Sequence, residues 1–364
     1  MAGNTLDTYL TQYESLLNHG LFTTHQVEKQ KKLTALMHTL HVHHQQQCLP
    51  YRKLFPNELG PLTNYADFPY LAVRLFKVMQ LQSIADHEIF RTLLSSGTTG
   101  QTPAKVVLDS LTSARQSKAL VKIMQEFIGK ARLPMLIVDS PQVLKNPAFS
   151  ARAAGVQGMA FFGRKPVYAL REDMSLDVEA VKAFAEDNVG QPVLIFGFTF
   201  MVWLHFVQAL EDRAIRLPLE QGIVIHSGGW KKLADKQVNN ATFKAGLKAT
   251  CGIAKVHNFY GMAEQVGSVF VECEKGHLHA PSVADIVIRN PYTLAESACG
   301  EEGLIQVISA LPTSYPGYSI LTEDLGRMLG EDNCLCGRLG RHFEVTRRLP
   351  KTEIRGCSDT GSRK

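Results

Sequence analysis

The chain has 364 residues, 45% of them apolar, and a formal charge of +5. That is enough apolar material for a large core in one big domain or two to three subdomains, and the basic clusters at Lys29–Lys32 and Arg347-Arg348 are too short for a nucleic-acid stripe. Seven scattered cysteines fit a reducing compartment better than a disulfide framework, and the N-terminus lacks a basic-then-apolar leader, so a cytoplasmic protein is expected.

Residues 5–18 and 24–45 read as helices, the second carrying Leu33, Leu36, Met37 and Leu40 at helical spacing. His41, His43 and His44 follow; a solvated helix end is the plain expectation for them, rather than a metal site. Residues 48–67 read as loop and 68–79 as buried structure. Ser110–Gly129 has a helical pattern, and Pro134–Val138 is a short buried strand ending at Asp139. Residues 152–163 are small and glycine-rich, and Ser175–Asp187 is an amphipathic helix. Gly222–His226 reads as a strand running into Ser227, Lys231–Thr250 as a helix, and Lys255–Tyr260 as a strand running into Gly261. Strands alternating with helices imply an α/β fold with ligands at the ends of parallel strands; from about residue 268 strands dominate. The units expected are 1–267, layered α/β; 268–346, β-rich; and 347–364, a hinge-like segment and tail.

Residues 192–210 carry no formal charge and are about long enough to span a bilayer. Gly197 divides them, however, and Thr199 is placed to cap a following helix that contains His205 and Gln208. A strand, a turn and a buried helix are therefore expected, not a membrane span.

The most suggestive stretch is Ser95-Ser-Gly-Thr-Thr-Gly100. Backbone N–H groups in so small a loop converge on one point, the hydroxyls of Ser95, Ser96, Thr98 and Thr99 add donors around Gly97 and Gly100, and Lys105 brings a positive charge. Such a loop suits phosphate, although Ser/Gly/Thr clusters are commonly plain turns and no GxxxxGK[ST] occurs. Three further motifs follow in order: Ser227-Gly-Gly-Trp230, Tyr260-Gly-Met-Ala-Glu264, and Thr322-Glu-Asp-Leu-Gly-Arg327.

This ordered set resembles the adenylate-forming superfamily, and more closely the acyl-protein synthetase (LuxE-type) family, to which the synthetase subunit of the bacterial fatty-acid reductase complex belongs. The similarity runs the length of the chain, including Gly228-Gly-Trp-Lys231, His279-Ala-Pro281, Thr313-Ser-Tyr-Pro-Gly317 and the tail from Arg347 to Cys357. Phenylacetate-CoA ligases are more distant. The resemblance implies the adenylate-forming large-domain fold and activation of a fatty acid by ATP with Mg²⁺. Residues 95–100 would cradle phosphate; Ser227, Gly228, Gly229, Asn258, Gly261 and Met262 would border the nucleotide; Tyr260 would stack on the base. Glu264 would hold Mg²⁺, Asp324 the ribose hydroxyls, and Arg338 or Arg348 would neutralise phosphate charge. The superfamily usually has a hydroxyl residue directly before that glutamate; here it is Ala263, so its α-phosphate contact must be absent or come from elsewhere.

Arg348–Gly356 resembles the hinge that precedes a small C-terminal domain in CoA-forming relatives, and that domain is expected to be absent here. Cys357 follows instead, in a polar tail. The resemblance implies that Cys357 accepts the acyl group as a thioester and passes it to an acyl reductase partner; a thiolate near Arg355 is a competent nucleophile. Separately, Cys273-Glu-Lys-Gly-His-Leu-His279 and Cys334-Leu-Cys336 supply three thiols and an imidazole, a set tetrahedral zinc takes. The C-x-C pair is tighter than the usual spacing, and His279 alternatively serves the substrate pocket. Two rival functions stay open: an acid–CoA ligase or carrier-protein loader, and a partner-binding subunit with weak catalysis, for which Ala263 is the support. Serine hydrolase chemistry has no anchor, since no GxSxG occurs.

Overall fold

The computed structural model describes residues 3–95, 103–145, 151–229 and 237–349. Its helices are α1 (Gly3–Asn18), α2 (Gln26–Gln47), α3 (Leu49–Leu54), α4 (Leu75–Val78), α5 (Ser110–Ile128), α6 (Ala151–Ala160), α7 (Val178–Asp187), α8 (Thr199–Met201), α9 (Gln208–Glu211) and α10 (Asn240–Cys251). A π-helical turn at Val202–Val207 joins α8 to α9. The strands are β1 (Leu71–Ala72), β2 (Arg91–Leu94), β3 (Lys105–Leu108), β4 (Leu133–Ile137), β5 (Gly163–Tyr168), β6 (Leu194–Phe198), β7 (Ile223–Ser227), β8 (Lys255–Tyr260), β9 (Phe270–Glu272), β10 (Leu278–His279), β11 (Ala284–Arg289), β12 (Glu302–Ser309), β13 (Ser319–Glu331) and β14 (Arg341–Arg348).

Side-chain caps set several helix starts. Asp109, Asp177 and Asn239 accept hydrogen bonds from the backbone N–H of Thr112, Ala180 and Thr242, which satisfies donors a helix leaves open. Among the described residues, twelve strands share one sheet, in the order β11-β12-β13-β14-β10-β9-β8-β7-β6-β4-β5, with β1 beside β13. β4 to β8 run parallel to their neighbours, and β8 pairs antiparallel with β9. The change of direction therefore falls at Tyr260 and Phe270, one residue past Phe259, which pairs in register with Ser227.

β4, β6 and β7 are buried on both faces, which explains their continuous apolar runs. Met135, Ile137, Leu194, Phe196 and Ile225 face one core with α1, α2, α5 and α6; Leu136, Val138, Ile195 and Val224 face another with α7, α10 and the helix after β6. A third core fills the antiparallel part around Phe270, Ile286, Ile305 and Phe343. Alternate side chains of one strand thus serve two layers, the period of two that a strand imposes.

Residues 192–210 form β6 and the helix behind it, and no helix among the described residues is long and apolar enough to cross a membrane. Thr199 does not cap that helix: its Oγ1 lies 2.9 Å from Nδ1 of buried His226. The glycine-rich 152–163 segment forms α6, in which Gly155 lets the ring of Phe198 approach; a Cβ there would lie 3.0 Å from Phe198 Cζ. Of the helix expected over Lys231–Thr250, Asn240–Cys251 form α10; residues 230–236 lie outside the described residues.

The histidine cluster is the clearest departure. His41 and His44 are buried, not solvated. His41 Nδ1 lies 2.9 Å from Tyr51 Oη and 3.1 Å from Tyr318 Oη, while His44 Nδ1 lies 2.8 Å from Ser83 Oγ. Polar groups can be buried when partners replace water, and α3, Ser83 and the Pro312–Tyr318 segment supply those partners from elsewhere in the chain. Burial holds both imidazoles below their ordinary pKa, His41 at about 4.

Candidate active site

β2 and β3 form a separate two-stranded hairpin whose connection is the Ser/Gly/Thr loop. Ser96, Gly97, Thr98, Thr99 and Gly100 lie outside the described residues, but the base of the loop does not. Ser95 donates its backbone N–H to Ala104 at 3.0 Å, and Ser95 Oγ accepts from Ala104 N at 3.0 Å. Lys105 is exposed at the start of β3, paired in register with Leu94.

At the carboxyl end of β8, Tyr260, Asp324 and Arg348 meet. The Tyr260 hydroxyl donates to Asp324 Oδ2 at 2.8 Å, and Arg348 Nε lies 3.8 Å from Asp324 Oδ1. The Tyr260 ring packs against Phe270 and Phe343, which fixes its plane. Burial raises the Asp324 pKa, partly offset by the Tyr260 hydrogen bond and the Arg348 charge. Arg348 is 70% exposed and also lies 3.6 Å from Glu323, so water screens its hold on the site and little opposes its turning toward a bound anion.

Neighbouring residues complete this end of the sheet. Ser227 ends β7, and Gly228 follows at φ +85°, a conformation glycine adopts freely; a Cβ there would lie 3.1 Å from the Phe198 ring. Among the described residues, nothing lies within 4 Å of a Cβ built on Gly229. Asn258 donates its backbone N–H to Glu272 Oε2 at 3.0 Å, while its Oδ1 is buried without a partner among the described residues. Gly261 and Met262 begin the turn after β8, and Glu264, 7% exposed, sits in that turn.

The Thr313–Gly317 segment, part of the sequence resemblance but with no role assigned to it, ties these pieces together. Tyr315 Oη accepts from Val266 N at 2.9 Å, and Gln265 Nε2 donates to Gly317 O at 3.0 Å, which anchors the turn holding Glu264. Ser314 Oγ donates to Val107 O of β3 at 2.8 Å, and Arg115 NH2 donates to Thr313 Oγ1 at 2.5 Å. His43 and His44 meet Thr313 O and Pro312 O at 2.9 and 3.2 Å. One segment thus joins the β2–β3 hairpin, the Glu264 turn and α2. Its density of Thr, Ser and Tyr flanking a Pro-Gly turn is the signal that points to it.

Arg338 is not part of this group. It pairs with Glu274 at 2.7 Å and lies 4.4 Å from the Phe127 ring centre. It belongs instead to a cluster formed by Cys273, His279, Cys334 and Cys336, whose ligating atoms all lie within 4.8 Å of one another. Cys357 lies outside the described residues.

The architecture is that of adenylate-forming ligases. 2-Hydroxyisobutyryl-CoA ligase in an open conformation with 2-HIB-AMP and CoA is similar at TM-score 0.65 and 16% identity over 92% of this chain and 78% of that one. The same ligase in its postadenylation state with 2-HIB-AMP is similar at TM-score 0.68 and 15% identity, over 90% and 69% of the two chains. Residues 15–364 match the family described as acyl-protein synthetase, LuxE, and the chain belongs to it. Two relatives are each called long-chain-fatty-acid–luciferin-component ligase. The one from Vibrio harveyi is 21% identical, over 96% of this chain and 92% of its own; the one from Aliivibrio fischeri is 23% identical, over 80% and 77%.

Proposed function

We propose that the protein is an ATP-dependent acyl-protein synthetase acting on a long-chain fatty acid in the cytoplasm. The fatty-acid carboxylate attacks the α-phosphorus of ATP, pyrophosphate leaves, and an acyl-AMP forms. The Cys357 thiolate then attacks the acyl carbonyl, AMP leaves, and the acyl thioester is handed to an acyl reductase partner. The observation that carries the reading is the Tyr260–Asp324–Arg348 group at the end of β8, with the Asn258 oxygen that has no partner among the described residues, in a chain of this family.

Each residue then has a physical task. Asp324, with one oxygen held by Tyr260, presents the other to the ribose hydroxyls. Gly228 and Gly229 admit the base, and Tyr260 presents its ring to it. Ser95–Gly100 and Lys105 hold the phosphates, and Arg348 neutralises charge as pyrophosphate leaves. Glu264 is a buried carboxylate in a turn fixed on both sides, and its hard oxygen donors suit Mg²⁺. Mg²⁺, when bound there, would supply charge to the phosphates. The acyl chain runs toward Phe198, whose ring packs against both cores. Residues 1–267 thus bind and activate, 268–346 close the site from the β-rich side, and 347–364 carry the acyl group.

Intact mass after incubation with Mg-ATP and a panel of fatty acids tests this. One hydroxylamine-labile acyl adduct, absent in Cys357→Ser, is expected. AMP release that depends on added CoA, with no adduct, would move the assignment to an acid–CoA ligase, the activity named for the structurally similar proteins.

A further inference from the structure

The Cys/His cluster lies apart from the nucleotide site. Cys273 ends the β9 side of the β9–β10 turn and His279 lies in β10; Cys334 and Cys336 lie between β13 and β14. β10 and β14 pair antiparallel, with His279 opposite His342, and this register brings the two segments face to face. Cys273 Sγ and Cys334 Sγ are 3.9 Å apart, and Cys336 Sγ is 3.3 Å from His279 Nε2. A tetrahedral zinc with bonds of about 2.3 Å to sulfur sets sulfur–sulfur edges near 3.8 Å, whereas a disulfide needs about 2.05 Å. The spacing suits a shared metal and not a bridge.

Second-sphere groups point the same way. Lys275 N and Arg338 N donate to Cys273 Sγ at 3.4 Å and Cys336 Sγ at 3.5 Å, each two residues on from its cysteine. Backbone donors aimed at sulfur stabilise thiolates, and such outer contacts orient metal ligands. Cys273 and His279 are fully buried, Cys334 nearly so, and water has little room to take their place.

We propose that Cys273, His279, Cys334 and Cys336 bind one structural Zn²⁺ that clamps the β9–β10 turn to the β13–β14 turn. Three thiols release their protons on binding, His279 contributes neutral Nε2, and the resulting site carries one net negative charge. The Arg338 guanidinium, paired with Glu274 at 2.7 Å, lies beside Cys336 and offsets it. Borderline-soft zinc matches three sulfurs and one imidazole, and four protein ligands leave no open coordination position, which marks the site as structural. The clamp sets where β14 begins, and β14 ends at Arg348.

The test is metal content of the full-length protein purified under reducing conditions, by plasma mass spectrometry. About one zinc per chain is expected, lost in Cys336→Ser and Cys273→Ser and retained in Cys299→Ser, whose cysteine is exposed and outside the cluster. Should the ligand variants fail to fold, the wild-type protein loaded with Co²⁺ decides by itself: tetrahedral d–d bands and sulfur-to-cobalt charge transfer with the intensity of three thiolates are expected. Zinc retained by Cys336→Ser would place the metal on the neighbouring His277, Cys334 and His342 and overturn the assignment. So would iron in its place, a Cys273–Cys334 disulfide in a non-reducing digest, or wild-type protein that takes up neither zinc nor cobalt.

Discussion

The two ends of β14 differ in how they are held. At its start, the chain is surrounded by side chains that converge on one point: three sulfurs, an imidazole and the stacked rings of His279 and His342, 5.5 Å apart. At its end, about 20–25 Å along the strand, Arg348 is exposed and reaches Asp324 only at 3.8 Å. The first end is complete without a small organic ligand. Among the described residues the second has unspent capacity: a buried Asn258 oxygen without a partner, no side chain against Gly229 and a carboxylate with one oxygen committed. Closed packing suits an anchor, and unspent hydrogen-bonding capacity suits a substrate site. The Thr313–Gly317 segment keeps the open end from collapsing by fixing the Glu264 turn and β3 from behind.

If the open end is the catalytic one, substitutions there act on rate before stability. The largest effect is expected for Glu264→Gln, a loss of about two to three orders of magnitude in ATP–pyrophosphate exchange, as for removal of one charge-stabilising group, with an unchanged circular-dichroism melt. Normal exchange would remove Glu264 from the chemistry.

The support behind that end is expected to fail in acid. His41, His44 and His226 are held neutral by burial, His41 at about 4 and His226 at about 3. An imidazole with a folded pKa below its unfolded value near 6.5 contributes stability that is full above that value and is lost as pH falls toward the folded pKa. Urea unfolding at pH 7, 6, 5 and 4.5 is therefore expected to show stability falling by as much as about 1.4 kcal/mol per pH unit for each such histidine below 6.5. A flat profile would mean that these rings are hydrated. Asp324→Ala removes the acceptor of the Tyr260 hydroxyl and the proposed ribose contact. About a tenfold to hundredfold rise in the KM for ATP is expected, since hydrogen bonds to charged groups are worth about 1.5–3 kcal/mol. An unchanged KM would break the comparison at its open end.

The smallest effect is reserved for Tyr315→Phe. The ring stays buried while the acceptor for Val266 N is lost, which costs about 1–3 kcal/mol of stability through the unsatisfied donor. Exchange activity is expected to fall with it, because the Glu264 turn loosens. Full activity in a destabilised variant would make the segment a support of the fold alone.

Much of the fold was legible because parallel strands announce themselves as short apolar runs. Pro134–Val138, Val193–Phe196 and Gly222–His226 each fall within a residue or two of β4, β6 and β7. The glycine- and hydroxyl-rich turns were legible for a similar reason: their residues lie within a few positions of one another after strands. The histidines of α2 were not. Helical spacing orders His41 and His44 on one face, but the Tyr51 and Tyr318 hydroxyls that meet His41 come from 10 and 277 residues away, and the Ser83 hydroxyl and Pro312 carbonyl that meet His44 from 39 and 268. Arg338 was misplaced for the same cause: an arginine near the expected hinge looks free for phosphate, and only the fold sets Glu274 and Phe127 against it.

By itself, the sequence determined the local chemistry: which turns carry glycine and hydroxyls, which strands are buried on both faces, and that three thiols and an imidazole occur as two short pairs. Tertiary structure decided what those groups meet. The β10–β14 register brings Cys273 within 3.9 Å of Cys334 across 61 residues of chain, and the antiparallel β13–β14 pairing sets Arg348 opposite Asp324. Periodicity reports which face of an element is apolar, but a contact between distant segments depends on strand order and register, which only the assembled sheet defines.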